Sequence, residues 1–258
     1  NFSFHSAGYE VLEERHAGLS IQVYHKEEHG YNAELMIEGL KASLDFNTKL
    51  FGPYPYRQIR VVEFPHTEES HSATLTANNI PASEVLFGVN AEHRAQEFNL
   101  PFYIMAHELT HEWFGNQLIP ADAAGAKMLT ESITEYLTLC IYREYFGDEL
   151  ADRFLSIQKK RYKRGQKRER EEEPPLSRVL AHQEYLAYGK GAMAFDAIAQ
   201  RIGTDKLNFV LQRFLNKYKY PSNYYPTTSD FIQFLKKNTY KTDHHLIDHW
   251  LTQVNDIH

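Results

Sequence analysis

The stretch His107-Glu108-Leu109-Thr110-His111-Glu112-Trp113-Phe114-Gly115-Asn116 is the part of the chain from which the rest is read. On an α-helix, residues four apart lie one above the other, roughly 5–6 Å apart at Cβ. His107 and His111 have that spacing, so two imidazoles can reach one tetrahedral zinc ion. Glu108 stands beside the first and can take a proton from a water on an open metal position. Pro101 suits the first turn of such a helix, and Ile104, His107, His111, Phe114 and Leu118 share one stripe. That stripe puts both imidazoles on the buried side. A lone histidine there is more often a satisfied core residue; two at this spacing around a carboxylate reverse that reading. Trp113 and Phe114 read as packing residues.

A hydrolytic zinc needs a third protein ligand and one position left for water. Downstream, Ala126 to Tyr142 reads as a second helix, its apolar residues Leu129, Ile133, Tyr136, Leu137, Cys140 and Ile141 at helical period and Gly147 as its stop. Thr130, Glu131, Thr134, Glu135 and Thr138 form a polar stripe on it. Such a stripe faces water as readily as a neighbour. The turn-rich segment around Pro120 and Gly125 lets the two helices pack antiparallel, which would return Glu131 to the histidine face. Glu131 is the expected third ligand.

H-E-x-x-H, then Trp113-Phe114-Gly115-Asn116, a short loop and a glutamate opening a second helix together resemble the gluzincin zinc aminopeptidases. Tyr188-Gly189-Lys190-Gly191-Ala192 matches that family's Y-x-K-G motif. The segments IPADAAGAKMLTESITEYL and YLAYGKGAMAF look closer still to the peptidase portion of bacterial proteins that fuse such a domain to an ABC-2-type permease. The resemblance is strongest from about Phe102 to Leu215. It implies an oxyanion-binding hydroxyl on Tyr188 and a glutamate that pairs with the substrate's free amino group. The candidate for the second role is Glu84, on a strand of NNIPASE that would bind extended peptide by β-augmentation; Asn78 and Asn79 could bond the peptide backbone. Glu135, one turn beyond Glu131, could orient a liganding histidine. Two departures stand out. Glu112 through Thr130 makes the spacer nineteen residues, against the family's usual eighteen, a surplus that the loop between Gly115 and Ala126 can absorb. The family's GAMEN strand is not present as written.

The 258 residues, 42% hydrophobic and 14% aromatic, suffice for a globular enzyme, and a net charge of −6 without a basic, aromatic-rich face argues against nucleic acid as partner. The single cysteine, Cys140, excludes an internal disulfide and reads as a core residue. No apolar run approaches membrane-spanning length. The N-terminus lacks both an initiating Met and a signal-peptide pattern, so the chain reads as a domain cut from a longer one.

In order, Tyr9–Arg15 and Leu19–His25 read as a hairpin, Asn32–Leu50 as a helix stopped by Gly52-Pro53, and Gln58–Phe64 as a buried strand. Thr74–Asn78 and Ser83–Val89 read as short strands flanking Pro81. His66–Ser72 reads as a solvated loop rather than a second metal site. Helices are expected over Asp148–Arg164, Thr204–Tyr218, Thr228–Asn238 and Asp243–Val254, the third with a Thr227/Asp230 capping pattern. The intervening QKKRYKRGQKREREEEPP runs from basic to acidic, its signs nearly cancel, and it reads as a mobile, solvated helix end rather than a partner-binding patch. The pair His245 and His249 lacks an acidic companion and reads as a decoy.

The expected fold is α+β and thermolysin-like: a gluzincin catalytic domain with a small mixed β-sheet and one helix over residues 1–98, then a mostly helical half over 99–258, with the active cleft between. The expected function is zinc-dependent peptide hydrolysis that releases N-terminal residues. One Zn2+ per chain, held by His107, His111 and Glu131, would polarise the carbonyl and acidify water; Glu108 would be general base, and Tyr188 would hold the oxyanion. The rivals are an endopeptidase with the same metal chemistry and a catalytically silent peptide-binding or sensing domain of a transporter. Peptide is the expected partner. The resemblance further implies a soluble domain tethered to permease segments of a bacterial membrane protein; the side of the membrane is left open, with the extracytoplasmic one preferred.

Overall fold

Alternating side chains at Glu10–His16 (β1) and Leu19–His25 (β2) make an antiparallel hairpin in a computed structural model that describes residues 5–66, 73–88 and 98–254. Its turn needs two positive φ values, which Ala17 (φ 50) and Gly18 (φ 82) supply. The hairpin is the expected one with its first strand shifted by a residue: His16, expected in the turn, pairs with Leu19. The chain divides into two compact units, Asn1–Glu112 and Trp113–His258.

In the first unit a helix, Ala33–Phe51 (α1), crosses from β2 to a parallel strand, Gln58–Phe64 (β3), and Gly52 ends it as expected. A fourth strand, Asn79–Ser83 (β4), adds parallel to β3, giving a mixed sheet in the order β1-β2-β3-β4. Ile21, Val23, Ile59, Val61, Ile80 and Ala82 are fully buried on one face; each of the larger ones contributes roughly 1.5–3 kcal/mol. Gln22, Gln58 and Arg60 hydrogen-bond one another on the other face.

The region around Pro81 departs from expectation. Thr74–Asn78 and Ser83–Val89 are not two strands flanking the proline: β4 runs through Pro81, and Glu84–Gly88 is a short helix (α2). The physical reason is position. β4 is a sheet edge, where a residue without an N–H is tolerated. Residues 67–72 of the His- and Glu-rich stretch, and Val89, lie outside the described residues.

Asn99 caps the next helix, Leu100–Thr110 (α3), by accepting the Phe102 N–H, and Pro101 occupies its first turn. A Cβ on Gly39 would come 2.5 Å from the Phe102 carbonyl oxygen, so glycine lets α1 lie directly on α3.

The second unit is helical: Ile133–Phe146 (α4), Asp148–Arg168 (α5), Gly191–Ile202 (α6), Thr204–Tyr218 (α7), Thr228–Lys237 (α8) and His244–Thr252 (α9). Its core is aromatic, with Trp113, Tyr136, Tyr162, Phe195, Phe214 and Phe231 fully buried. The Thr227/Asp230 capping box is present at α8. Cys140 is buried in α4, its thiol pushed up to about 12 chiefly by desolvation. His245 and His249 are exposed on α9.

Candidate metal centre

Within the first unit, three buried polar side chains fix the helix that carries the histidines. Ser43 Oγ donates to the Ala106 carbonyl at 3.0 Å, Thr110 Oγ1 donates to the same oxygen at 2.8 Å, and Asn47 Nδ2 donates to Thr110 Oγ1 at 2.9 Å. Buried hydrogen bonds of this kind are costly to leave unmade, so α1 sets both the rotation and the height of α3. His107 is buried and His111 half-buried. Their Nε2 atoms are 3.0 Å apart. Glu108 is buried, and its Oε2 accepts the Leu75 N–H at 2.9 Å. Sequence reasoning missed Leu75 because nothing in its residue type announces a backbone role.

After His111 the chain enters a kinked π-type turn, Glu112–Gln117. Two more such turns open the elements that carry Glu131 and Tyr188, Met128–Ser132 and Tyr185–Lys190. A turn with i→i+5 bonding holds one residue more than an α turn and recurs at functional sites. The surplus spacer residue therefore has a place at the helix ends as well as in the loop.

The polar stripe faces inward. Glu131 is 7% exposed, and Thr134, Glu135 and Thr138 are fully buried. Lys127 Nζ donates to Glu131 Oε1 at 3.0 Å. Glu135 accepts from Gln158 Nε2 at 3.3 Å. Ser132 Oγ donates to the Ala187 carbonyl at 2.6 Å, and a Cβ on Gly191 would come 2.3 Å from that hydroxyl. The glycine that closes Y-x-K-G thus lets the Tyr188 turn press against the Glu131 turn. Gly189 does the same toward α5, where a Cβ would come 2.8 Å from the Tyr162 nitrogen. Tyr188 itself is half-buried with the Arg161 guanidinium 4.0 Å from its ring centroid.

Lys190, from the same motif, is fully buried. It donates to Glu173 at 2.8 Å, and Tyr162 Oη donates to that carboxylate at 3.1 Å. Glu173, the last acid of the charge run, is therefore held in the packing beside Lys190, while Lys167, Arg168, Arg170, Glu171 and Glu172 are exposed, as expected of a solvated helix end.

His107 and His111 in the first unit and Glu131 in the second are the residues that could hold the metal, and the two imidazoles are the donor pair whose geometry is set within one unit. A tetrahedral zinc with bonds near 2.05 Å sets its ligand atoms about 3.3 Å apart, close to the 3.0 Å between the two imidazole nitrogens. The donors fit. A second group, His29, Glu63 and Glu84, lies wholly within the first unit and brings its ligand atoms within 4.8 Å of one another. It differs in having Lys26 threaded through it: Lys26 N–H donates to Glu63 at 2.8 Å and Lys26 Nζ to Glu84 at 3.3 Å. His29 Nδ1 lies 2.5 Å from Glu63, whose side chain is fully buried. Glu84, at the start of α2, also accepts the His66 N–H at 3.0 Å. That bond and Lys26 hold its carboxyl below the usual glutamate range. Asn79 opens β4 and exchanges backbone hydrogen bonds with Thr76.

Two imidazoles with one carboxylate suit zinc, and setting them on an H-E-x-x-H helix defines the class as a gluzincin-type zinc metallopeptidase domain. The chain belongs to peptidase family M1: the model of the Peptidase family M1 domain matches residues 35–250. Among solved structures it is similar to a two-domain M1 zinc metallopeptidase mutant bound to L-arginine, with TM-score 0.67 and 17% identity over 96% of this chain and 52% of that one. The M1 zinc metallopeptidase from Deinococcus radiodurans gives TM-score 0.65 and 18% identity over 95% and 51%. A mutant of the Deinococcus radiodurans enzyme bound to a Tyr-Ser-Ala substrate gives 0.60 and 17% over 95% and 51%. The chain spans about half the length of these relatives. No curated protein sequence matches it.

Proposed function

We propose that this domain hydrolyses peptide bonds, releasing N-terminal residues, with a zinc ion held by His107, His111 and Glu131. The observation that carries the reading is the pair of imidazole nitrogens 3.0 Å apart on an H-E-x-x-H helix in a chain of the M1 family. Zinc, when bound, supplies Lewis acidity to the scissile carbonyl and a water of lowered pKa. Glu108 takes the proton of the attacking water and passes it to the leaving amine; the Leu75 N–H at 2.9 Å orients its carboxylate. The Tyr188 hydroxyl donates to the oxyanion as charge develops there. Replacement Glu108→Gln is expected to keep stoichiometric zinc and lower kcat by about 100- to 10,000-fold; a fully active variant overturns the assignment.

An endopeptidase is the second reading, and a specific observation favours it. Glu84, expected to clamp the substrate's free amine, is engaged by Lys26 and His66, and the residue whose N–H meets Glu108 is Leu75. Matched peptides with free and acetylated N-termini decide: a strong preference for the free amine supports the aminopeptidase, and equal rates the endopeptidase. Stoichiometric zinc with no turnover on a peptide library would instead indicate a silent binding domain.

A tether to permease segments on the extracytoplasmic side rests on the resemblance of the two quoted segments. Among the described residues no helix is long and apolar enough to cross a membrane. Fractionation of the full-length protein tests the tether.

A further inference from the structure

The charge run after α5 nearly cancels in sequence but not in space. Glu169 accepts the N–H groups of Arg170 and Glu171 at 2.8 and 3.2 Å and the Gln183 side chain at 3.3 Å. Glu173 is spent on Lys190 and Tyr162. Both acids have partners of their own inside the fold, although both also act on Tyr185 beside the basic residues. Lys160, Arg161, Arg164 and Arg168, at helical spacing along α5, line a cavity of about 440 Å³ together with Tyr185 and Glu184. Glu184 is the one acid in that lining, and it pairs with Arg161 at 3.5 Å. Among the described residues, Lys160, Arg164 and Arg168 have no carboxylate within 4 Å. The floor is shaped by Gly165, where a Cβ would come 2.1 Å from Tyr185 Cβ. Arg161 lines the cavity and also lies 4.0 Å from the Tyr188 ring centroid.

We propose that this cavity binds a carboxylate of the peptide substrate, so that acidic peptides are the preferred class. The chemistry is that of a concave site with unmatched cationic charge: guanidinium forks pair with carboxylates bidentately, and a partly enclosed pocket concentrates the field of several charges. The volume holds one or two amino-acid side chains. The link to the reaction is Arg161, a positioning residue whose guanidinium meets the cavity on one side and the Tyr188 ring on the other. As a claim about substrate the inference rests on the peptidase reading; as a claim about binding it does not.

The test uses Glu108→Gln protein, which holds peptide without turning it over, and a peptide series that differs only in charge: an internal Glu against Gln, and a free C-terminus against its amide. Calorimetry at low salt should give a Kd about tenfold lower for at least one carboxylate form. Whichever form gains identifies a side-chain or a terminal carboxylate as the ligand. The gain should shrink at 0.5 M salt, where charges a few ångströms apart in water are screened. Arg164→Glu and Arg168→Glu, both on exposed positions, should abolish the preference while leaving Kd for the uncharged peptide and the melting temperature unchanged. Equal affinity for all four peptides, or inorganic phosphate or single-stranded RNA binding more tightly than any of them, overturns the proposal. Acidic-peptide binding by protein that never shows hydrolysis would sink the peptidase reading and leave the pocket standing; hydrolysis indifferent to charge would do the reverse.

Discussion

Two groups of histidine and glutamate in this protein offer the same kinds of ligand atom, and they are built in opposite ways. His107 and His111 bring their Nε2 atoms 3.0 Å apart on one helix, and in the second unit Glu131 is paired with Lys127, whose side chain is 35% exposed. In the other cluster the positive charge belongs to the fold. Lys26 and His29 press on a Glu63 side chain with no exposure, and Lys26 bridges to Glu84. A buried carboxylate needs a compensating partner. Glu63 has its partners built in, whereas the two imidazoles offer their ring nitrogens to one another across 3.0 Å. Proximity of donors is therefore a weak criterion for a metal centre; the origin of the compensating charge is a better one.

The sharpest way to break this contrast is metal analysis. His107→Ala or His111→Ala should lose stoichiometric zinc and all measurable hydrolysis, while Glu63→Gln and Glu84→Gln should retain one zinc per chain. Loss of zinc from the Glu63 variant with retention in the His107 variant would invert the comparison. The next effect is on stability. Glu63→Leu leaves the Lys26 N–H and His29 without their acceptor and should cost about 2–4 kcal/mol in urea unfolding, whereas His111→Ala in zinc-free protein should stay within about 1 kcal/mol. Gly191→Ala bears on the first cluster alone. The added methyl meets Ser132 Oγ at 2.3 Å, so the Tyr188 turn must move; kcat should fall about tenfold or more, with zinc content unchanged.

The smallest effect is a pH dependence. The Glu84 carboxyl is held below its ordinary value of 4.5, first by the His66 N–H and then by Lys26. A depressed native value means that unfolding takes up protons in this window. The contribution is therefore complete above 4.5 and disappears as pH falls through the lowered native value. Chemical denaturation at stepped acid pH should show a slightly flatter profile for Glu84→Gln than for wild type; identical profiles would detach Glu84 from the second cluster.

Much of the architecture could be read from local pattern. The hairpin, β3 and α7 lie where alternation and helical period put them, because each is set by side chains a few residues apart. What local pattern missed or left open has a common cause. Pro81 looked like a break and is an edge-strand residue. The stripe from Glu131 to Thr138 looked as ready to face water as a neighbour, and it is buried. The run ending at Glu173 looked solvated and mobile, and its last acid holds a buried lysine.

The sequence by itself determined the paired imidazoles and their neighbouring carboxylate, since an i,i+4 spacing on a helix admits one geometry. It also marked Glu131 and Tyr188, through motif resemblance. Only the tertiary structure decided which acids are used up inside the fold, which backbone N–H meets Glu108, and that among the described residues Lys160, Arg164 and Arg168 on α5 have no carboxylate within 4 Å. The reason is range. Helical periodicity acts between near neighbours in the chain, whereas the pairing of a buried charge is settled by whatever residue, however distant in sequence, the packing brings to it.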